Sequence, residues 1–340
     1  MDNPPLQTSL QQGIEDVHVR HFHLTRLSGA LLVVLIFLGG MIGAFAYLNP
    51  TVGGVPVFAH AQESAQRPAR VIFPAVSIQA KSAIVYDIVG NRPLYEKNAD
   101  VQLPLASLTK IPLALAINEV LPPYTELIIP RTIPPTSTLT ELKKGSRWRS
   151  QDLIDLTLAA SSNDGAEILA SAADDALRVR YPEAPAGGAA VYRMNALVQG
   201  LGLTHTYFMN PTGLDETTDQ SGAYGTARDM AVLFAHAATS DADLFAATAR
   251  PLLTLSSAQG DAATAHNTDH ALSDISGIIM GKTGYTDLAG GNLAVVYSPA
   301  QGVELAVVVL GSTEQGRFED VRALVQAANT AIGIASTTTP

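Results

Sequence analysis

The chain has 340 residues, 47 % of them hydrophobic, which is enough for one large core or two small ones. Its formal net charge of −10 argues against nucleic acid as a partner, because phosphate binding needs a basic surface. The absence of cysteine excludes disulfides, thiol nucleophiles and thiolate metal sites together.

Residues 1–26 are polar and mixed in charge, and Leu27 to Leu48 is a run of 22 residues without a charge. As a helix that run is about 33 Å long, enough to cross a hydrocarbon core. Arg20 and Arg26 precede it and the first Lys or Arg after it is Arg67, so the positive-inside tendency predicts a cytoplasmic tail (1–26), a membrane anchor (27–48) and everything beyond on the outer side. A cleaved signal peptide is the alternative, since Ala59-His60-Ala61 resembles a small-x-small cleavage site, but the run is longer than a signal core and ends well before that site. Gly39 and Gly43 form a G-x-x-x-G within the run, a pattern too common in membrane helices to imply pairing. The Pro-, Gly-, Ala- and Gln-rich stretch 49–74 is expected to be a tether.

Ile84-Val85-Tyr86-Asp87 and Pro93-Leu94-Tyr95-Glu96 flank Gly90-Asn91 and predict a β-hairpin. From Ser107 through Leu113, Leu115 and Ile117 a mostly apolar buried helix is expected, with Pro112 as an awkward member near its start. Gln151 to Ala160 predicts an amphipathic helix, and the chain to about residue 250 is expected to be mainly helical. Leu293–Tyr297 and Val303–Leu310 return to strand-like runs, and Phe318–Ile332 has helical periodicity. Strands at both ends with helices between predict an α+β domain over 75–334: an antiparallel sheet flanked by helices, with an inserted helical subdomain. A disordered tail is expected over 335–340.

Chemistry concentrates in three short words. In Ser107-Leu108-Thr109-Lys110 a hydroxyl and an amine three residues apart share a helix face, a nucleophile beside a base. Ser161-Ser162-Asn163 and Lys282-Thr283-Gly284 follow in that order. Taken singly, the first pair is usually a helix cap and a solvated lysine, the second a turn and the third a strand end. Together they form the ordered motif set of penicillin-binding proteins and serine β-lactamases. The flanking words Leu94-Tyr95-Glu96-Lys97-Asn98-Ala99-Asp100, Phe208-Met209-Asn210-Pro211-Thr212-Gly213-Leu214-Asp215, Tyr224-Gly225-Thr226-Ala227-Arg228-Asp229-Met230-Ala231 and Gly281-Lys282-Thr283-Gly284-Tyr285-Thr286 are similar to those of serine D-alanyl-D-alanine carboxypeptidases. Thr212 departs from the histidine that many such proteins carry there.

That resemblance implies a β-lactamase/transpeptidase-like fold and an acyl-serine mechanism. Ser107 would be the nucleophile and Lys110 its base, with Ser161 relaying a proton to the leaving nitrogen. Asn163 would hold the substrate's amide backbone. Lys282, Thr283 and Thr286 would bind a terminal carboxylate, with Gly284 completing their motif. The N–H groups of Ser107 and Tyr285 would form the oxyanion hole. A free lysine holds its proton to about pH 10.4, so the base needs desolvation and a nearby cation, for which Lys282 is the candidate. The implied substrates are peptidoglycan stem peptides, the implied inhibitors β-lactam antibiotics, and no metal or other cofactor is implied. Carboxypeptidase activity is the first expectation and endopeptidase cleavage of cross-links the second. A β-lactamase is disfavoured because no E-x-x-L-N word lies between Asn163 and Lys282. A non-catalytic wall-binding protein is disfavoured because it would need no nucleophile.

Other constellations fail. Gly277 to Thr283 has three residues between its glycines where a phosphate-binding loop needs four. His266 and His270 have helical spacing for a metal but lack the glutamate of H-E-x-x-H, and His18, His21 and His23 have no acids at ligand spacing.

Overall fold

The computed structural model describes residues 72–131 and 142–333. The expected tail (1–26), anchor (27–48), most of the linker and the segment 335–340 lie outside them. Among the described residues no helix is long and apolar enough to cross a membrane.

The predicted hairpin is β1 (Ser82–Asp87) and β2 (Arg92–Lys97), paired antiparallel. Its turn is tied by Asp87 Oδ1, which accepts from Gly90 N at 2.8 Å, and by Tyr86 Oη donating to Asn91 Oδ1 at 2.6 Å. After β3 (Leu103–Pro104) a 3-10 turn, Ala106–Thr109, leads into α1 (Lys110–Asn118). The α-helix proper therefore begins at Lys110 rather than Ser107. Pro112 then lies in its first turn, where the missing N–H is one of the donors that any helix start leaves unpaired.

The middle of the chain supplies β4 (Glu126–Ile128), β5 (Arg147–Arg149), α2 (Ser150–Ala159), α3 (Asn163–Arg180) and α4 (Ala189–Gly200). β6 (Tyr207–Phe208), β7 (Ala223–Gly225), α5 (Ala227–Ser240) and α6 (Ala242–Phe245) follow. A second hairpin, β8 (Leu252–Ser256) with β9 (Ala262–His266), precedes the three long strands β10 (Ile278–Thr286), β11 (Gly290–Ala300) and β12 (Val303–Ser312), and then α7 (Gly316–Ala331). The main sheet has the order β10-β11-β12-β1-β2, so both ends of the domain build it and the helices are an insertion between them, as the sequence predicts.

The continuous apolar runs in β11 and β12 follow from a sheet covered on both faces. Leu305, Val307 and Val309 face Phe318, Val321 and Leu324 of α7, whereas Ala306, Val308 and Leu310 join the core shared with Met230, Leu233 and Phe234 of α5. The domain also starts earlier than expected: Phe73, assigned to the tether, packs on Tyr95 with ring centroids 5.1 Å apart. β10 is an edge strand of this sheet and runs beside the turn Ala106–Thr109, which sets the stage for the site.

Candidate active site

Ser107 and Lys110 straddle the junction between 3-10 turn and α-helix. Residues three apart eclipse on a 3-10 turn, and Lys110 Nζ donates to Ser107 Oγ at 2.7 Å. The amine's two other donors go to Asn163 Oδ1 and to the carbonyl of Thr212, both at 2.8 Å. Lys110 is fully buried, and its three partners are all neutral. Burial, which penalises the ammonium, brings its pKa down to about 7, with the Glu167 carboxylate acting in the opposite direction.

Two kinds of backbone constraint set this geometry. Ala106, immediately before the nucleophile, has φ +48°, and Ser161 has φ +57°, conformations that side chains rarely adopt and that are held by surrounding structure. Gly213 has φ +78°, and a Cβ there would lie 1.9 Å from the carbonyl oxygen of Ala106. The word Asn210 to Leu214 thus presses against the strained turn while its Thr212 carbonyl receives Lys110. Asn210 Oδ1 folds that loop by accepting from Thr212 N, Thr212 Oγ1 and Gly213 N. The Thr212 hydroxyl in turn accepts from Leu214 N at 3.1 Å, so the departure from histidine is accommodated by closing the loop.

β10 brings the third word to the same place. A Cβ on Gly284 would lie 2.9 Å from Leu105 O and 3.1 Å from Ser107 N, so glycine lets the edge strand approach the nucleophile's backbone. Lys282 Nζ donates to Ser161 Oγ and to Thr283 O, each at 2.8 Å. The Ser161 hydroxyl is therefore held by Lys282. Thr283 Oγ1 shares a 2.6 Å bond with Thr268 Oγ1, and Thr268 N is fixed to Ala159 O at the end of α2. Tyr285 is half-exposed at the rim. Burial, followed by the charges of Lys110 and Arg317, pushes Lys282 well below its ordinary range. Of the expected desolvation and nearby cation, burial is the one that lowers Lys110.

The Thr286 hydroxyl donates to Asp215 Oδ1 at 2.9 Å and accepts from Ala289 N, so it ties the end of β10 to the loop at Asp215 and closes the β10–β11 turn. The sequence passed over Arg317. From the start of α7 it donates to Gly284 O at 2.8 Å, with its guanidinium 6.0 Å from the centre of the Tyr285 ring. His266 ends β9 and His270 stacks on Phe318 with centroids 5.0 Å apart. Among the described residues no group of His and acidic side chains is arranged to hold a metal.

A family model described as D-alanyl-D-alanine carboxypeptidase matches residues 63–314. The chain belongs to this family, peptidase S11. Within it, the chain is 30 % identical over 226 residues to a D-alanyl-D-alanine endopeptidase of Pseudomonas aeruginosa, covering 62 % of this chain and 64 % of that protein. It is 32 % identical over 213 residues to the D-alanyl-D-alanine carboxypeptidase DacB2 of Mycobacterium tuberculosis, covering 62 % and 67 %. Among solved structures, penicillin-binding protein D2 of Listeria monocytogenes in its cefotaxime-bound form superposes with a TM-score of 0.63 at 28 % identity, covering 75 % of this chain and 98 % of that one. A Streptomyces DD-transpeptidase at 22 % identity shares the fold with the same TM-score.

Proposed function

We propose that this family member is a serine D,D-peptidase that cleaves the terminal D-alanyl-D-alanine bond of peptidoglycan stem peptides through an acyl-Ser107 intermediate. The observation that carries the reading is the 2.7 Å contact between Ser107 Oγ and the fully buried amine of Lys110, which is half unprotonated near neutral pH. In its neutral form Lys110 takes the hydroxyl proton as Oγ attacks the carbonyl carbon. The C–N bond to the terminal D-alanine then breaks: the Ser161 hydroxyl, which accepts from Lys282, gives its own proton to the leaving nitrogen and is resupplied by the proton that Lys110 took from Ser107. Water subsequently attacks the ester and restores Ser107.

The N–H groups of Ser107 and Tyr285 serve as the oxyanion hole, a role supported by the close approach that Gly284 permits. Lys282 and Thr283, with Arg317 behind the strand, attract the terminal carboxylate. Asn163, with Oδ1 on Lys110, keeps Nδ2 to donate to a substrate carbonyl. By the same route β-lactams acylate Ser107, and the apolar run 27–48 tethers the enzyme to the outer side of the membrane.

The finer assignment is carboxypeptidase. Similarity to two D-alanyl-D-alanine endopeptidases favours cross-link cleavage as the second reading. Digestion of purified pentapeptide monomers and of cross-linked dimers separates them: release of D-alanine from monomers is expected. Cleavage of dimers alone establishes the second reading, and no cleavage of either by folded protein rejects both.

A further inference from the structure

The three hydrogen bonds of Lys110 end on a hydroxyl, an amide and a carbonyl, so none of its bonded partners supplies a formal charge to hold the proton. The charged groups around it are few. From β10, Lys282 is bonded to Ser161 and repels a second ammonium, and Arg317 acts on Lys282 from α7. From α3 comes one carboxylate of opposite effect, Glu167. Glu167 stands four residues after Asn163, so the two share a helix face one turn apart, and Asn163 is the residue that binds the amine. It also borders a cleft of about 310 Å³ together with Ser171, Asp174, Asp175 and Pro211. Pro211 directly precedes the Thr212 whose carbonyl is the third partner of Lys110. Helix spacing along α3 and the cleft shared with Pro211 thus put Glu167 next to two of the segments that bind the base.

We propose that Glu167 is a positioning residue for the reaction: its carboxylate, from the helix turn after Asn163, holds a proton on Lys110 and sets the pH at which the enzyme begins to acylate. The inference rests on the assignment of Lys110 as the base. Glu167 is on the open side of the cleft, where its own carboxyl is raised, first by partial burial and then by Asp164 and Glu216, while Lys110 pulls it down. The pair is therefore asymmetric: an exposed acid, screened on its solvent side, acts on a fully buried amine. Removing that charge leaves burial unopposed, and the neutral amine is then favoured to lower pH.

The test is the second-order rate of acylation by benzylpenicillin against pH from 6 to 8 for the full chain, as wild type, Glu167→Gln and Glu167→Asp. The glutamine variant is expected to move the acid midpoint down by about half a pH unit, which makes acylation at pH 6 about 2.5-fold faster than wild type. The aspartate variant, retaining the charge, is expected to stay nearer the wild-type midpoint. A purely structural role changes the plateau and not the midpoint, so coincident midpoints, or an upward move in Glu167→Gln, overturn the proposal. A slower loss of the acyl group with an unchanged acylation profile overturns it too, by assigning Glu167 to deacylation. If wild type itself forms no acyl-enzyme at any pH, the underlying assignment fails instead, and the two failures are distinct.

Discussion

At the scale of single residues, Lys110 illustrates how a poor base becomes a useful one. Its proton is disfavoured by burial among neutral dipoles, and it titrates at about 7, about three units below the value of a free lysine. The sign of the pH dependence follows. The reactive form is the neutral amine, so acylation falls roughly tenfold for each unit of acidification below that midpoint and levels off above it. A stopped-flow profile of penicillin acylation checks this, and an acid midpoint near 10 contradicts it. The Ser107–Lys110 pair was legible because spacing alone puts both side chains on one face. The Thr212 carbonyl was not, since a backbone acceptor has no residue type to betray it. Arg317 was missed because its link to Gly284 is purely tertiary.

Among elements, the edge strand β10 and the turn Ala106–Thr109 act as one unit because glycines let their backbones meet. Gly213→Ala places a methyl into the Ala106 carbonyl at a positive φ. We expect a loss of at least about 2 kcal/mol, read as a lowered midpoint of denaturant unfolding, together with slower acylation. A variant as stable as wild type contradicts the described packing. The hairpin β1–β2 and the long strands β11 and β12 were readable from alternation, turn residues and apolar runs. Pairs such as β4 with β5 and β8 with β9 were not. Leu252–Ser256 and Ala262–His266 carry alanine, serine and threonine in place of a strong apolar alternation, and their pairing is decided by packing against the helical part. The start of the helix after Ser107 was likewise misplaced, because a 3-10 turn and an α-helix share nearly the same periodicity over one turn.

Across the whole molecule, the fold is closed by joining its two ends. Asp320 of α7 is 3 % exposed. It accepts from Gln79 N and Ala80 N at 2.8 Å, just before β1, and from Ser312 Oγ at 2.6 Å at the end of β12. Asp320→Ala leaves those donors unpaired and is expected to cost about 3 kcal/mol, detectable as a lower melting temperature. An unchanged melt contradicts that role. Composition and the order of elements were sufficient to foresee a sheet completed from both ends, and the contact between Phe73 and Tyr95 carries the packing of the domain further toward the N-terminus than composition suggested.

The most direct test of a nucleophilic Ser107 is time-resolved intact mass spectrometry of the protein mixed with benzylpenicillin, followed by peptide mapping. The account predicts a covalent adduct of one intact penicillin on Ser107 that is absent from Ser107→Ala. An adduct on another residue, or its persistence in Ser107→Ala, contradicts the account, as does folded wild-type protein that neither acquires an adduct nor hydrolyses the drug.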